Sequence, residues 1–264
     1  MKTYTCNYPI VASDMDITYR MTPNAILLYF QDCFARYLTS KHLAAFDVIK
    51  DNLIWIISEI DMNYVDKRPL WSDNIQVTFD FVEIGAVRIY INYQILNSQG
   101  KPFVEGSCCW AVLNSVTKRP FSAKELLESR GISVNEEVAR YEVRKPVSAE
   151  KELFQEVEHQ VNVTDLDFNG HVCNRSYVTI AMGTAPIDFV RTHAPKRMHI
   201  KFLRESFFGE TLKCKVFKAV EGSPVFWHSV VNSQGKEICS IYSEWTSDEA
   251  EQKDVAEVIN RAHL

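Results

Sequence analysis

Asp167, Asn169 and His171 stand two residues apart in the stretch Thr164-Asp165-Leu166-Asp167-Phe168-Asn169-Gly170-His171-Val172-Cys173-Asn174-Arg175-Ser176-Tyr177. In an extended segment that spacing turns all three side chains to one side. A carboxylate, an amide and an imidazole gathered at one point can orient a carbonyl and move a proton. The apolar run Tyr177-Val178-Thr179-Ile180-Ala181-Met182 follows at once. The stretch therefore reads as the end of a strand turning into a helix, with polar atoms at the junction.

The elements that must hold these groups are written twice. Near the N-terminus stands Ser13-Asp14-Met15-Asp16-Ile17-Thr18-Tyr19-Arg20-Met21-Thr22-Pro23. At an offset of 151 residues Asp14 meets Asp165, Met15 meets Leu166 and Asp16 meets Asp167, while Thr18 stands for Asn169 and Arg20 for His171. One copy carries the groups capable of chemistry; the other keeps the turn without the amide and the imidazole. Asp14 and Asp165, present in both, read as capping residues that satisfy turn backbone. Asn169 and His171 are not required by a shared fold and read as functional. Asp167 is open to either reading, since Asp16 persists in the other copy.

With 264 residues, 46% hydrophobic and 24% charged, the chain has the composition of a soluble globular protein with ample core. A formal net charge of −5 gives no general attraction to nucleic acid or to an anionic membrane. No run of about 18 apolar residues occurs, so a membrane span is not expected. The N-terminus lacks an apolar signal core and a Ser/Arg-rich transit segment, which makes the cytoplasm the expected location. The seven cysteines, at 6, 33, 108, 109, 173, 214 and 239, contain no C-x-x-C pair and read as reduced thiols, mostly core residues.

In order, residues 4 to 12 predict a strand, and Thr22-Pro23 predicts a helix start, with an N-cap hydroxyl and then Pro at the first helical position. The helix, about 23 to 44, places Ile26, Tyr29, Phe30 and Cys33 on one face. Leu53 to Ile57, the alternating runs Ile75-Val77-Phe79-Phe81 and Ile89-Ile91-Tyr93-Ile95, and Glu105 to Leu113 predict strands. A short helix near Ser122 to Ser129 has Ser122 as its cap. Residues 131 to 150 are charged, contain Pro146 and read as a linker. The pattern then restarts, with a strand near 155 to 163, the motif turn, and a helix from about 174 to 192. Strands follow near His199 to Leu203, Thr211 to Val220, Val225 to Asn232 and Glu237 to Trp245, and Asp248 to His263 predicts a charged terminal helix.

Asn97-Ser98-Gln99-Gly100-Lys101 recurs as Asn232-Ser233-Gln234-Gly235-Lys236, an offset of 135 at which Tyr93 meets His228 and Trp110 meets Trp245. Leu70-Trp71-Ser72-Asp73 resembles Phe207-Phe208-Gly209-Glu210 at an offset of 137. Each copy is strand, turn, long helix and a run of antiparallel strands, which calls for a sheet wrapped about one helix.

Asp167-x-Asn169-x-His171-Val172, followed by Asn174 and Tyr177, resembles the motif of acyl-acyl-carrier-protein (acyl-ACP) thioesterases, and Lys201-Phe202-Leu203-Arg204-Glu205-Ser206 matches the family's strand ending in Arg-Glu-Cys. The likeness covers nearly the whole chain and looks like the bacterial branch. It implies an α+β double (tandem) hotdog fold of two antiparallel sheets, each wrapped around a long helix. Residues 1–140 would form an N-terminal hotdog domain, catalytically degenerate and serving as the acyl pocket. Residues 141–264 would form the catalytic domain. The resemblance implies catalytic Asp167, Asn169, His171 and Glu205. Ser206, near the site, replaces the Cys that the family often has, so a scheme with that Cys as nucleophile does not transfer unchanged; Cys173 stands where the family more often shows Asn and reads as a packing residue. The implied activity is that of a thioester hydrolase releasing free fatty acid and holo-ACP in fatty acid biosynthesis, with acyl carrier protein as partner and no metal or organic cofactor; a homodimer is compatible with it.

Other readings stay open at this point. Asp165-x-Asp167-x-Asn169-Gly170 imitates the start of a calcium loop, but Ser176 stands where the bidentate Glu is needed. His159, His199 and His228 show no zinc-ligand spacing. An acyl-CoA thioesterase, a hydratase or dehydratase, and a non-catalytic acyl- or carrier-binding protein are the rival functions. Arg140, Arg144, Lys145, Lys196, Arg197 and Lys201 are candidates for a basic surface that would meet an acidic carrier.

Overall fold

A computed structural model describes residues 3–71, 73–222 and 224–247; the terminal helix expected over Asp248 to His263 lies outside the described residues. The chain divides into two compact units. The first comprises residues 1–10, 26–66 and 72–144, and the second comprises residues 11–25, 67–71 and 145–264.

In the first unit strands β1 (Tyr4–Pro9), β2 (Leu53–Tyr64), β3 (Asn74–Ile84), β4 (Arg88–Leu96) and β5 (Pro102–Asn114) pair antiparallel in the order β1-β3-β4-β5-β2. Helix α1 (Pro23–Ser40) starts where Thr22 caps it: the Thr22 hydroxyl accepts the Ala25 N–H at 3.1 Å. It is shorter than expected, ending at Ser40, and a separate turn of helix, α2 (Ala45–Val48), follows. Its predicted apolar face is buried, with Ile26 and Cys33 at 0% and Phe30 at 1% exposure. Phe30 stacks on Tyr93 at 4.1 Å, and Phe34 meets Trp55, Phe79, Phe81 and Trp110, so aromatic rings fill the space between helix and sheet. Ser122 caps α3 (Ala123–Glu128) as expected, accepting from the Glu125 N–H.

The stretch 131–144 is not the loose linker that its charge suggests. The Asn135 N–H donates to the Phe81 carbonyl, the Asn135 amide reaches Asp80, the Tyr141 N–H donates to Asn92, and Arg140 lies 3.4 Å from the centre of the Tyr90 ring. Backbone polar groups that run along a sheet are satisfied there, which fixes the segment.

The second unit repeats the strand pattern. Strands β6 (Lys151–Gln160), β7 (His193–Phe202), β8 (Thr211–Ala219), β9 (Val225–Val231) and β10 (Glu237–Ser247) pair antiparallel in the order β7-β10-β9-β8-β6. The single long helix expected over 174 to 192 is instead two short ones, α4 (Asn174–Met182) and α5 (Ile187–Thr192). Gly183 and Pro186 explain the break: Gly weakens the helix, and Pro lacks the N–H that continuation requires.

The internal repeat holds at the level of single hydrogen bonds. Asn97 Oδ1 accepts the Gln99 and Lys101 N–H groups at 3.1 and 3.0 Å, and Asn232 Oδ1 accepts those of Gln234 and Lys236 at 3.1 and 3.0 Å. The Asp-containing turns match as well. Met15 bridges Met21 as Leu166 bridges Val172, and Arg20 bridges Leu70 as His171 bridges Phe207. In the N-terminal turn Asp16 Oδ2 accepts from Arg68 Nη1 at 2.7 Å, Arg68 is 3% exposed, and its Nη1 also donates to the Met21 carbonyl. A buried guanidinium beside its carboxylate is held by geometry, and truncating one partner strands the other charge.

Two outcomes follow for stability. Arg68→Ala should lower the unfolding free energy by about 1–3 kcal/mol, through loss of the buried guanidinium's hydrogen bonds to the part-buried Asp16 carboxylate and the Met21 carbonyl; a change within about 0.5 kcal/mol in denaturant melts would contradict the role given to this pair. At Gly106 an added Cβ would run into the Asp61 carbonyl and the Tyr93 ring. Gly106→Ala should therefore cost about 3 kcal/mol, the upper part of the overpacking range, measured the same way.

Candidate active site

The Asp165–His171 stretch is not an extended strand. It is a tight hairpin turn between β6 and α4, and alternation along a strand does not set where its side chains point. Asp165 anchors its entry: Oδ2 accepts the Asn162 N–H at 2.9 Å and lies 2.9 Å from His159 Nε2. The Asp165 carbonyl accepts from the Cys173 N–H at 2.8 Å and from the Ser176 hydroxyl at 3.0 Å, which ties the turn to the start of α4. Asp14 does the same work in the other copy, where it accepts the Val11 N–H at 3.0 Å and its carbonyl accepts from Thr22.

The tip is closed by Asp167. Its backbone N–H donates to the His171 carbonyl at 2.8 Å, and Oδ1 accepts the Asn169 N–H at 2.8 Å and the His171 N–H at 3.3 Å. Gly170 sits at φ 77°, a left-handed conformation that costs Gly little. In the N-terminal copy Asp16 accepts the Thr18 N–H at 2.8 Å in the same way, with Tyr19 in the left-handed position at φ 57°. The side chain of Asp167 therefore shapes the loop that presents His171. Asp165 Oδ2 and Asp167 Oδ1 are thus turned to protein N–H donors, and among the described residues no group of three His, Cys, Asp or Glu side chains that could hold a metal ion occurs.

Backbone pairing then brings in Glu205. The Val172 N–H donates to the Ser206 carbonyl at 2.8 Å and His171 bridges Phe207, so residues 205–207 run alongside 171–172. His171 Nδ1 lies 3.8 Å from Glu205 Oε1, both partly open to solvent, and the Phe207 ring stands edge-on to the imidazole at 5.2 Å. That separation is longer than a hydrogen bond. The alignment at 137 residues sets Arg68 opposite Glu205 in the repeat. The N-terminal turn thus carries Asp16, Arg20 and a buried Arg68 where the C-terminal one carries Asp167, His171 and an accessible Glu205.

The other expected residues fall differently. Asn169 is at the exposed tip, and among the described residues its side chain makes no hydrogen bond. Ser206 is fully buried, its hydroxyl aimed into the core beside the Tyr177 phenol, and neither oxygen has a well-formed hydrogen bond. Burial keeps that phenol protonated, with Ser206 acting weakly the other way. A hydroxyl placed there is not a nucleophile for a substrate at His171. All seven cysteines are free thiols, and Cys173 is the N-cap of α4 without a side-chain capping bond. Sequence reasoning did not place Phe207 or His159 at this turn, where they contact His171 and Asp165; the alignment of Phe207 with Leu70 was the one available hint. Of the basic residues named above, Arg197 is not a surface group: it is 1% exposed, 3.6 Å from Glu244 and over the Tyr242 ring. Among the described residues no helix is long and apolar enough to cross a membrane.

Residues 1–128 match the model of the acyl-ACP thioesterase N-terminal domain, and residues 148–247 match that of the acyl-ACP thioesterase C-terminal domain. A chloroplastic palmitoyl-acyl carrier protein thioesterase of Arabidopsis thaliana is 24% identical over 217 residues, 76% of this chain and 52% of that protein. The chain thus spans about half the length of the curated relatives it matches. The fold is similar to that of an acyl-ACP thioesterase from Bacteroides thetaiotaomicron, with a TM-score of 0.79 at 18% identity over 92% of this chain and 98% of the other. It is also similar to a 12:0-ACP thioesterase from Umbellularia californica, with a TM-score of 0.74 at 17% identity over 93% and 98% of the two chains. With both domain models matched in order, the chain belongs to the acyl-ACP thioesterase family.

Proposed function

We propose that this protein hydrolyses the thioester of a fatty acyl group on acyl carrier protein, releasing free fatty acid and holo-ACP. The observation that carries the reading is the His171–Glu205 pair at 3.8 Å, held on a backbone-locked turn in a chain of this family. Thioester hydrolysis needs an activated nucleophile, donors for the developing oxyanion and a proton for the departing thiolate. Glu205 is the general base for water, or attacks directly, and His171 passes the proton to the thiolate. Asp167 is the positioning residue, since its contacts are to the backbone of the turn. Asn169, at the tip with its amide free to turn, orients the substrate carbonyl, and the first N–H groups of α4 face the developing negative charge. None of these steps calls on a metal.

In this reading the tandem hotdog arrangement divides the labour. The C-terminal domain, 141–264, carries the catalytic groups. The N-terminal copy, 1–140, whose turn carries Asp16, Arg20 and Arg68 on segments that cluster with the second unit, supports the fold on the acyl side. The exposed Lys145, Lys196 and Lys201 supply positive charge for an acidic carrier, Arg197 being excluded by burial. Fatty acid release in the cytoplasm belongs to the same proposal.

Glu205→Ala and His171→Ala should each reduce thiol release from an acyl-ACP substrate by about 10²–10⁴-fold. The double variant should lose little more than either single one, as groups that act as a unit do. Circular dichroism and melting should stay near those of the parent, because both side chains are partly exposed. Near-normal turnover in Glu205→Ala would overturn the assignment.

A further inference from the structure

The segment that carries Glu205 lies outside the strand ladders. After β7 the Leu203 and Arg204 N–H groups both donate to the Ile238 carbonyl, and the Val172 N–H then donates to the Ser206 carbonyl at 2.8 Å. Glu205 and Phe207 flank that bond, and both turn toward His171. The carboxylate stands 3.8 Å from Nδ1, and the Phe207 ring centre stands 5.2 Å from that of the imidazole. Alternation along an extended chain sends the side chain between them the other way. Ser206 accordingly faces the core, at 0% exposure.

There it meets α4. Tyr177, buried on that helix, packs its ring against Phe202 at 6.2 Å and brings its phenol beside the Ser206 hydroxyl. Among the described residues neither oxygen has a hydrogen-bond partner of good geometry. Buried hydroxyls need partners, and each of these can both donate and accept. A hydroxyl hydrogen rotates to suit its neighbour, so each oxygen has the other to turn to.

The first copy shows what the fold itself requires. There the Met21 N–H donates to the Pro69 carbonyl at 3.2 Å, the same bond at the offsets of 151 and 137. Pro69 stands for Ser206 and Ile26 for Tyr177, and both are buried. The backbone is held at that place with no hydroxyl at all, because Pro fixes its own φ and Ile fills its space without needing a partner. Glu210 Oε2 is a further buried oxygen without a partner, but its counterpart Asp73 is acidic too, so it does not set the copies apart. The hydroxyl pair does. It stands where the neighbouring residue is Glu205 rather than Arg68. Two buried hydroxyls that share one hydrogen bond leave the rest of their bonding capacity unmet, and apolar groups of the same shape would be as stable or more so. A pair kept at a cost to stability, directly behind the site, calls for a role in the site.

We propose that Tyr177 is a positioning residue for Glu205. Its phenol holds the Ser206 hydroxyl from the core side and so keeps segment 205–207 at the height where the Glu205 carboxylate reaches His171. A displacement of about 1 Å at a reacting group costs on the order of 10²-fold in rate, so even a partial loosening shows. The role of Glu205 rests on the thioesterase reading above; the coupling of Tyr177 to Ser206 does not.

The test is thiol release from an acyl-ACP thioester by the parent, Tyr177→Phe, Ser206→Ala and the double variant. Denaturant melts and NMR exchange of the Val172 N–H are followed on the same proteins. Each single substitution should lower kcat about tenfold with KM within about twofold, and the double should lose little more, because the two hydroxyls act as a unit. The double variant should be as stable as the parent or more so, since it replaces both partners by apolar groups. Exchange of the Val172 N–H should quicken about tenfold in Tyr177→Phe, because that bond ends on Ser206. Parent-like kcat in Tyr177→Phe, losses that multiply in the double variant, or a double variant that melts below the parent would overturn the proposal. A parent that releases no thiol defeats the thioesterase reading instead. The Val172 exchange then decides: a quickened rate in Tyr177→Phe upholds the positioning role, and an unchanged one overturns it.

Discussion

The candidate site depends on one carboxylate that gathers backbone N–H groups. Asp167 accepts from Asn169 and His171, which forces the chain into a closed turn and fixes the direction in which the imidazole leaves it. Without that acceptor the exposed Asn169 N–H would turn to water, and the part-buried His171 N–H would lose its partner. The pairing of residues 171–172 with 205–207 follows from the placement of the turn, and the His171–Glu205 approach follows from that pairing. Asp16 accepts the Thr18 N–H in the same way in the N-terminal turn, so the carboxylate serves the turn in both copies.

The two turns show what the scaffold demands and what it leaves free. Both need the acceptor and a residue in the left-handed conformation, met by Gly170 in one and by Tyr19 in the other. The residue at the second partner position is free to differ. Arg68, buried against Asp16, makes the N-terminal turn a closed ion pair, while Glu205 leaves the C-terminal one open on the solvent side. Duplication kept the backbone solution and let the side chains part company.

Much of this was legible in the residues themselves. The offsets of 151, 137 and 135 predicted pairs that the strand register and the turn hydrogen bonds reproduce, because hydrogen-bonded turns need particular residues at particular places. The capped starts of α1 and α3 were equally local. Three things were not legible. The Asp-x-Asn-x-His spacing suggested a strand, but Asp167 competes for backbone N–H groups and makes a turn. The break between α4 and α5 required weighing Gly183 and Pro186 against an apolar run that otherwise continues the helix. The burial of Arg197 and Ser206 depends on partners distant in sequence, which charge and polarity alone do not reveal.

The most direct test of the account is thiol release by the unaltered protein from matched acyl-ACP and acyl-CoA thioesters across several chain lengths. The account predicts hydrolysis with a clear preference for the carrier-bound acyl group, at least tenfold in kcat/KM, as expected if surface charge recruits the carrier. Hydrolysis of CoA thioesters alone, or no release from either substrate, would contradict it.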